Sequence, residues 1–156
     1  MKIAIQGLGE IPTTVLLVLE QEKPDVSHVI CSDYQLSYVA SSAGFDKPNE
    51  VVIKEAASKL GAKVVFHICD VFDPSAVGDV LGDILSKLDP KKDNLVINYT
   101  GGTAVVRLLL GTMGVVISSV MKAKVIYAVK YPKGIELAKD HTTVLRDIFE
   151  RLKITA

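Results

Sequence analysis

The chain contains no tryptophan, only two cysteines, and aromatic residues at just 6% of its 156 positions. Two cysteines without CxxC or HxxxH spacing exclude both a disulfide-built fold and a structural zinc site. Cys31 and Cys69 read instead as small apolar fillers at the ends of strand-like runs. Excess charge of one sign is also missing, because 18 Lys and Arg balance 18 Asp and Glu. A neutral surface argues against tracking long DNA or RNA, which needs a basic face. It leaves room for a small polyanion held by a local site. No uninterrupted hydrophobic run exists either: the most apolar stretch, 104–121, carries Arg107, Gly111, Gly114, Ser118 and Ser119. A spanning helix needs about 20 mostly apolar residues, and an internal arginine is costly. A buried helix is therefore expected, with no membrane association. Also lacking are a P-loop, a nucleophile elbow and a carboxylate pair at defined spacing. The N-terminus starts directly on a strand pattern with no leader, so a cytoplasmic location is expected, with no metal and no cofactor.

What is present is a soluble balance of 49% apolar and 23% charged residues, enough to bury one sizeable core. A single domain over 1–156 is expected. Short β-rich runs recur at 2–6, 27–32, 63–69, 95–98 and 124–130. Several are almost continuous in Val, Ile and Ala, as parallel strands covered on both faces require. Helical patterns lie between them at 12–22, 49–60, 73–88 and 103–121, and a closing amphipathic helix is expected at 142–153. Pro12 suits a first helical turn, Asp73-Pro74 reads as an N-cap followed by proline, and Gly61 as a helix-ending glycine. The alternation predicts an α/β, Rossmann-like, doubly wound and mainly parallel sheet. Residues 33–48 have no clean period and read as an irregular loop that could act as a lid.

Two glycine-bearing loops stand out. Gly7-Leu8-Gly9-Glu10 follows the first strand, and Asn98-Tyr99-Thr100-Gly101-Gly102-Thr103 follows the fourth. Ligands of open α/β sheets bind beyond the carboxyl ends of strands where strand order reverses. In the six-strand form of this fold, strands one and four flank that point, so the loops are expected side by side. Two adjacent glycines, two threonines and the free amides of a helix start make a seat for phosphate oxygens. The plainer alternative is a pair of tight strand–helix turns. A dinucleotide fingerprint fits poorly, because Pro12 stands where its third glycine belongs and Asp33 comes late for the ribose. Arg107 lies one turn into the helix on the face of Thr103, as a phosphate fork or as a salt-bridge partner. Tyr99 and Tyr34 are candidates for base stacking or for ordinary packing. His67 and Cys69 share a strand face without making a metal site, and His28 and His141 have no evident partners.

The strand ending in Asn98-Tyr99-Thr100-Gly101-Gly102-Thr103, with its long apolar helix, resembles the second signature motif of CARF domains (CRISPR-associated Rossmann fold). Lys23-Pro24-Asp25, Cys31-Ser32-Asp33 and Asp70-Val71-Phe72-Asp73 fit that layout, and the resemblance covers nearly the whole chain. It implies a homodimer binding a cyclic oligoadenylate, the second messenger of type III CRISPR defence, with cyclic tetra-adenylate the first choice. The implied binding residues are Gly7, Gly9, Glu10, Thr13, Ser32, Asp33, Tyr34, Asn98, Tyr99, Thr100, Gly101, Gly102, Thr103 and Arg107. The helix behind the Gly-Gly loop would supply dimer contacts, with Gly111 and Gly114 permitting close helix approach there or, equally well, helix packing within one subunit. A chain without an appended effector is similar to the ring nucleases, which cleave the messenger without metal; Thr13 (or Thr14) and Arg107 would then be catalytic. Ala104 replaces a lysine that often follows the Thr-Gly-Gly-Thr, and Glu10 intrudes where a hydroxyl is usual. The alternatives are a sensor subunit recruiting a separate CRISPR effector, or an unrelated nucleotide-binding enzyme.

Overall fold

In the computed structural model, residues 1–131, 134–140 and 150–151 are described, with the backbone path alone for 128–131 and 134–140. Strands β1 (Lys2–Gly7), β2 (Val26–Cys31), β3 (Lys63–Ile68), β4 (Asn94–Asn98), β5 (Ala123–Tyr131) and β6 (Gly134–Asp140) form one sheet. Its order is β3-β2-β1-β4-β5-β6. The first five are parallel to one another, while β6 returns antiparallel to β5. Helices α1 (Thr13–Glu22), α2 (Asp33–Ser37), α3 (Asn49–Lys59), α4 (Pro74–Ser86) and α5 (Ala104–Ile117) connect them.

Alternation within the strands builds both layers. Ile3, Ile5, Leu95 and Ile97 point to the face covered by α4 and α5, where Val77, Leu81, Ile84, Val106 and Leu110 meet them. The other face pairs Val29 and Cys31 with Val15 and Leu19 of α1 and Ile53 of α3. Each fully buried aliphatic side chain contributes roughly 1.5–3 kcal/mol. β1 and β4 are buried through their centres, which explains their unbroken apolar sequences. Edge strand β3 is only half covered. From β1 the chain winds outward through β2 to β3, then crosses back over α4 to β4. The reversal thus falls between β1 and β4, and the loops that follow them share one edge.

Local chemistry sets the helix ends. Asp73 caps α4 by accepting from the Ser75 amide at 3.0 Å, with Pro74 at the first position. Thr103 caps α5 through the Val106 amide at 3.3 Å. Pro12 occupies the cap position of α1 rather than its first turn, and offers no side-chain cap.

Several expectations need correction. Residues 33–48 are not irregular throughout: α2 and a 3-10 turn over Ser41–Ala43 occupy them. A capping box between Ser32 and Gln35 nucleates α2. α5 ends at Ile117, a turn before residue 121. Strand β6 was not anticipated. Gly114 faces the sheet: a Cβ there would lie 2.8 Å from Val125, so it lets α5 settle on β5 within one subunit. His28 does have a partner, because its Nδ1 lies 2.8 Å from His67 Nε2. Of the closing helix expected at 142–153, only Glu150 and Arg151 are described, both helical; the rest, with His141, lies outside the described residues.

Candidate functional site

The two glycine loops touch through their backbones. A Cβ on Gly7 would fall 2.4 Å from the Gly101 carbonyl oxygen, and one on Gly101 would fall 2.5 Å from that of Gly7. Only glycine permits this approach at either position. Gly102 takes φ +99°, and its absent side chain would point at Val106, 3.2 Å away. These three glycines therefore build the loop pair itself. Gly9 differs: a Cβ there would meet only the Gly102 nitrogen, at 3.6 Å. Gly9 thus keeps the space above that amide open.

Asn98 lies wholly buried beneath the loop. Its Nδ2 donates to Gln6 Oε1 at 2.9 Å and to the Thr14 carbonyl at 3.4 Å, while its Oδ1 accepts from the Thr100 amide at 3.1 Å. The Asn98 side chain is thus spent inside the protein, fixing the bend. Beyond Thr100, the amides of Gly101, Gly102, Thr103, Ala104 and Val105 donate to no acceptor among the described residues. Those of Gly9, Glu10 and Ile11 are likewise unpaired among the described residues. Such a row of donors at a helix start attracts anionic oxygens. The Thr103 hydroxyl is turned away to donate to the Val71 carbonyl, tying the loop after β3 to the start of α5. Of the two hydroxyls at the start of α1, that of Thr14 lies against Gly101, 3.2 Å from where a Cβ would stand.

A cleft of about 490 Å³ runs along the outer face of α5. Ala104, Arg107, Leu108, Gly111, Thr112 and Val115 line one wall, and Tyr99 and Tyr127 the other. The two tyrosine rings pack with centroids 5.3 Å apart. Burial, and then the neighbouring Tyr127, raises the Tyr99 phenol above its ordinary value. Arg107 is exposed and makes no ion pair among the described residues. Its guanidinium belongs to a residue that lines this cleft. Leu108 beside it is 69% exposed.

At the loops that follow β1 and β2, the Tyr34 hydroxyl donates to Glu10 Oε1 at 3.1 Å. That hydrogen bond raises the Tyr34 phenol above its usual value. Asn49 holds the Glu10 backbone from below, since its Nδ2 donates to the carbonyls of Glu10 and Gln35, both at 2.9 Å. Ser32 is absorbed in capping α2. Asp33 is exposed at the first turn of α2.

The site residues expected from sequence thus gather at one sheet edge, with different tasks. Gly7, Asn98, Gly101, Gly102 and Ser32 shape the edge. Gly9, Glu10, Tyr34, Arg107 and the free amides face outward. Sequence reasoning missed Gln6, Asn49 and Tyr127. Gln6 and Asn49 are polar residues in otherwise apolar or helical runs, a pattern that signals a buried network. Among the described residues no group of three His, Cys, Asp or Glu could hold a metal, and no helix is long and apolar enough to cross a membrane.

No protein-family model and no curated protein matches the sequence. Solved structures do match. Enterococcus italicus Csm6, determined with cyclic hexa-2′-fluoro-hexa-dAMP bound, aligns at TM-score 0.66 and 17% identity, over 100% of this chain and 41% of that one. Can2 from Sulfobacillus thermosulfidooxidans, in complex with cyclic tetra-adenylate, aligns at TM-score 0.62 and 12% identity, over 90% and 37%. Protein VC1899 from Vibrio cholerae aligns at TM-score 0.54 and 12% identity, over 89% and 35%. The chain therefore spans about two-fifths or less of each of these structures. The fold is CARF-like and Rossmann-like.

Proposed function

We propose that this chain binds a cyclic oligoadenylate, cyclic tetra-adenylate first, across a homodimer as part of cytoplasmic type III CRISPR signalling. The observation that carries the reading is the run of amides from Gly101 to Val105, unpaired among the described residues, with that of Gly102 beside Gly9 where the loops after β1 and β4 meet. Phosphates suit these donors, and the position is where open α/β sheets take ligands. The CARF-like fold supports the ligand class, because Csm6 and Can2 share it and were determined with cyclic oligonucleotides. Symmetry makes a dimer economical: a ring with its own rotational repeat offers identical phosphates to identical half-sites. The exposed Ala104, Leu108 and Val116 give α5 an apolar outer face suited to a second copy.

A second reading, ring cleavage, is favoured by Arg107, which is exposed, lines the cleft and makes no ion pair among the described residues. The ribose 2′-oxygen would attack its adjacent phosphorus and expel the 5′-oxygen, giving a linear product that ends in a 2′,3′-cyclic phosphate. Arg107 would stabilise charge on the phosphate, and Thr13 or Thr14 would align the 2′-hydroxyl. A non-catalytic dimer recruiting a separate effector remains the alternative use of the same site.

The test is incubation of purified protein with labelled cyclic tetra-adenylate and cyclic hexa-adenylate, scored for retention and for linear product. Retention of either ring supports the proposal, and linear product adds the nuclease. Failure to retain either ring overturns it. Retention without product leaves the sensor.

A further inference from the structure

Glu10 poses a problem for a phosphate site. It is exposed, follows Gly9 directly, and no basic residue pairs with it among the described residues. A carboxylate beside phosphate oxygens is repelled. Yet it is held in place: Tyr34 donates to Oε1 at 3.1 Å, and Asn49 anchors the Glu10 carbonyl at 2.9 Å. The second oxygen, Oε2, has no partner among the described residues. A fixed acceptor of this kind calls for a neutral donor on the ligand.

The geometry points to Glu10 as a specificity residue that accepts the exocyclic amine of a purine base, with the Tyr34 ring beside it as a flat neighbour for that base. This inference rests on the cyclic oligoadenylate reading above. An oligoadenylate carries only two kinds of donor, the 6-amine and the ribose 2′-hydroxyl, since its phosphates and ring nitrogens accept. The 2′-hydroxyl adjoins a phosphate, where a carboxylate would be repelled. The amine lies at the far end of the base, away from that charge. Tyr34, at 60% exposure and tilted against Tyr38 with centroids 5.7 Å apart, offers aromatic surface on the same rim.

The experiment compares cyclic tetra-adenylate, the corresponding ring of purine riboside (which lacks the amine), and a 2′-fluoro adenylate ring. Each is titrated into wild type, Glu10→Ala and Tyr34→Phe. Glu10→Ala spares the fold, because Asn49 bonds the backbone carbonyl and the carboxylate is exposed. Wild type is expected to bind the purine-riboside ring about tenfold to a hundredfold more weakly than the adenylate ring. Glu10→Ala should bring that ratio close to one, and Tyr34→Phe should lower it in part. If wild type binds both rings equally, or Glu10→Ala keeps the full ratio, the inference is overturned while the cyclic-nucleotide reading stands. Weakened binding of the 2′-fluoro ring alone, with the purine-riboside ring bound as tightly as the adenylate ring, overturns it in favour of the ribose. Absence of binding to all three rings overturns the underlying reading as well.

Discussion

Gln6 and Asn98 stand opposite one another on β1 and β4, and their buried amides are joined by a 2.9 Å hydrogen bond. Gln6 continues the chain by donating to Ser27 on β2 at 3.0 Å. Asn98 extends it to the start of α1 and to the Thr100 amide. One polar thread therefore crosses three strands and ends under the candidate ligand loop. Every partner is satisfied within the core, which makes removal of any one costly.

Asn98→Ala should accordingly destabilise the protein by about 1–3 kcal/mol, because Gln6 Oε1 and the Thr100 amide lose their partner in the interior. Urea unfolding measures this. A variant as stable as wild type would show that the thread does not hold the loop.

The glycines separate scaffold from opening. Gly101→Ala should cost about 1–3 kcal/mol through overlap with the Gly7 carbonyl. Gly9→Val should leave the unfolding midpoint near wild type and weaken ring binding at least about tenfold, by covering the Gly102 amide. Gly102→Val is a poor probe, since its side chain would strain against Val106 instead of blocking a ligand. Thermal unfolding beside a binding titration distinguishes these outcomes, and undiminished binding by Gly9→Val would move the ligand elsewhere.

Arg107→Ala should leave stability unchanged, because no ion pair is lost among the described residues. It should weaken ring binding by about 1–3 kcal/mol if the guanidinium forks a phosphate. Calorimetric titration reads the difference, and equal affinity would remove Arg107 from the site.

The His28–His67 contact should make the fold sensitive to acid. Burial, then the neighbouring His67 and Lys87, lowers the His28 imidazole from 6.5 to about 4; Lys63 adds to this and Asp83 opposes it. Burial lowers His67 as well. As pH falls from 6.5 towards 4, the unfolded chain takes up a proton that folded His28 refuses. Stability is therefore full above the unfolded value and declines through that window. Because water reaches the half-buried ring, the loss is on the order of 1 kcal/mol. His28→Gln should flatten this part of the pH–stability curve, as followed by thermal unfolding. Parallel curves for both proteins would refute the assignment.

The mainly parallel α/β alternation and the meeting of the two glycine loops after strands one and four were legible in the sequence, because continuous apolar strands and capped helices follow strong local rules. The roles of individual glycines were not. Whether a missing side chain makes room for a ligand or for another backbone depends on a neighbour some ninety positions away, as Gly7 and Gly101 demonstrate. Asn98 similarly reads as a ligand contact in a motif but folds inward once Gln6 lies opposite. Residues 33–48 hid a short helix because its signal is one capping box, Ser32 with Gln35, in place of a periodic face. β6 escaped notice because its apolar residues are interleaved with charges, giving a shorter and weaker pattern than the buried parallel strands.

In the proposed complex, two copies share one ring through the amides of the loop before α5. Isothermal titration of cyclic tetra-adenylate into the protein, with sedimentation of the same sample, tests it most directly. Saturation at one ring per two chains and a sedimenting dimer are expected. Saturation at one ring per chain on a monomer, or no heat with cyclic tetra-adenylate or cyclic hexa-adenylate, would contradict it.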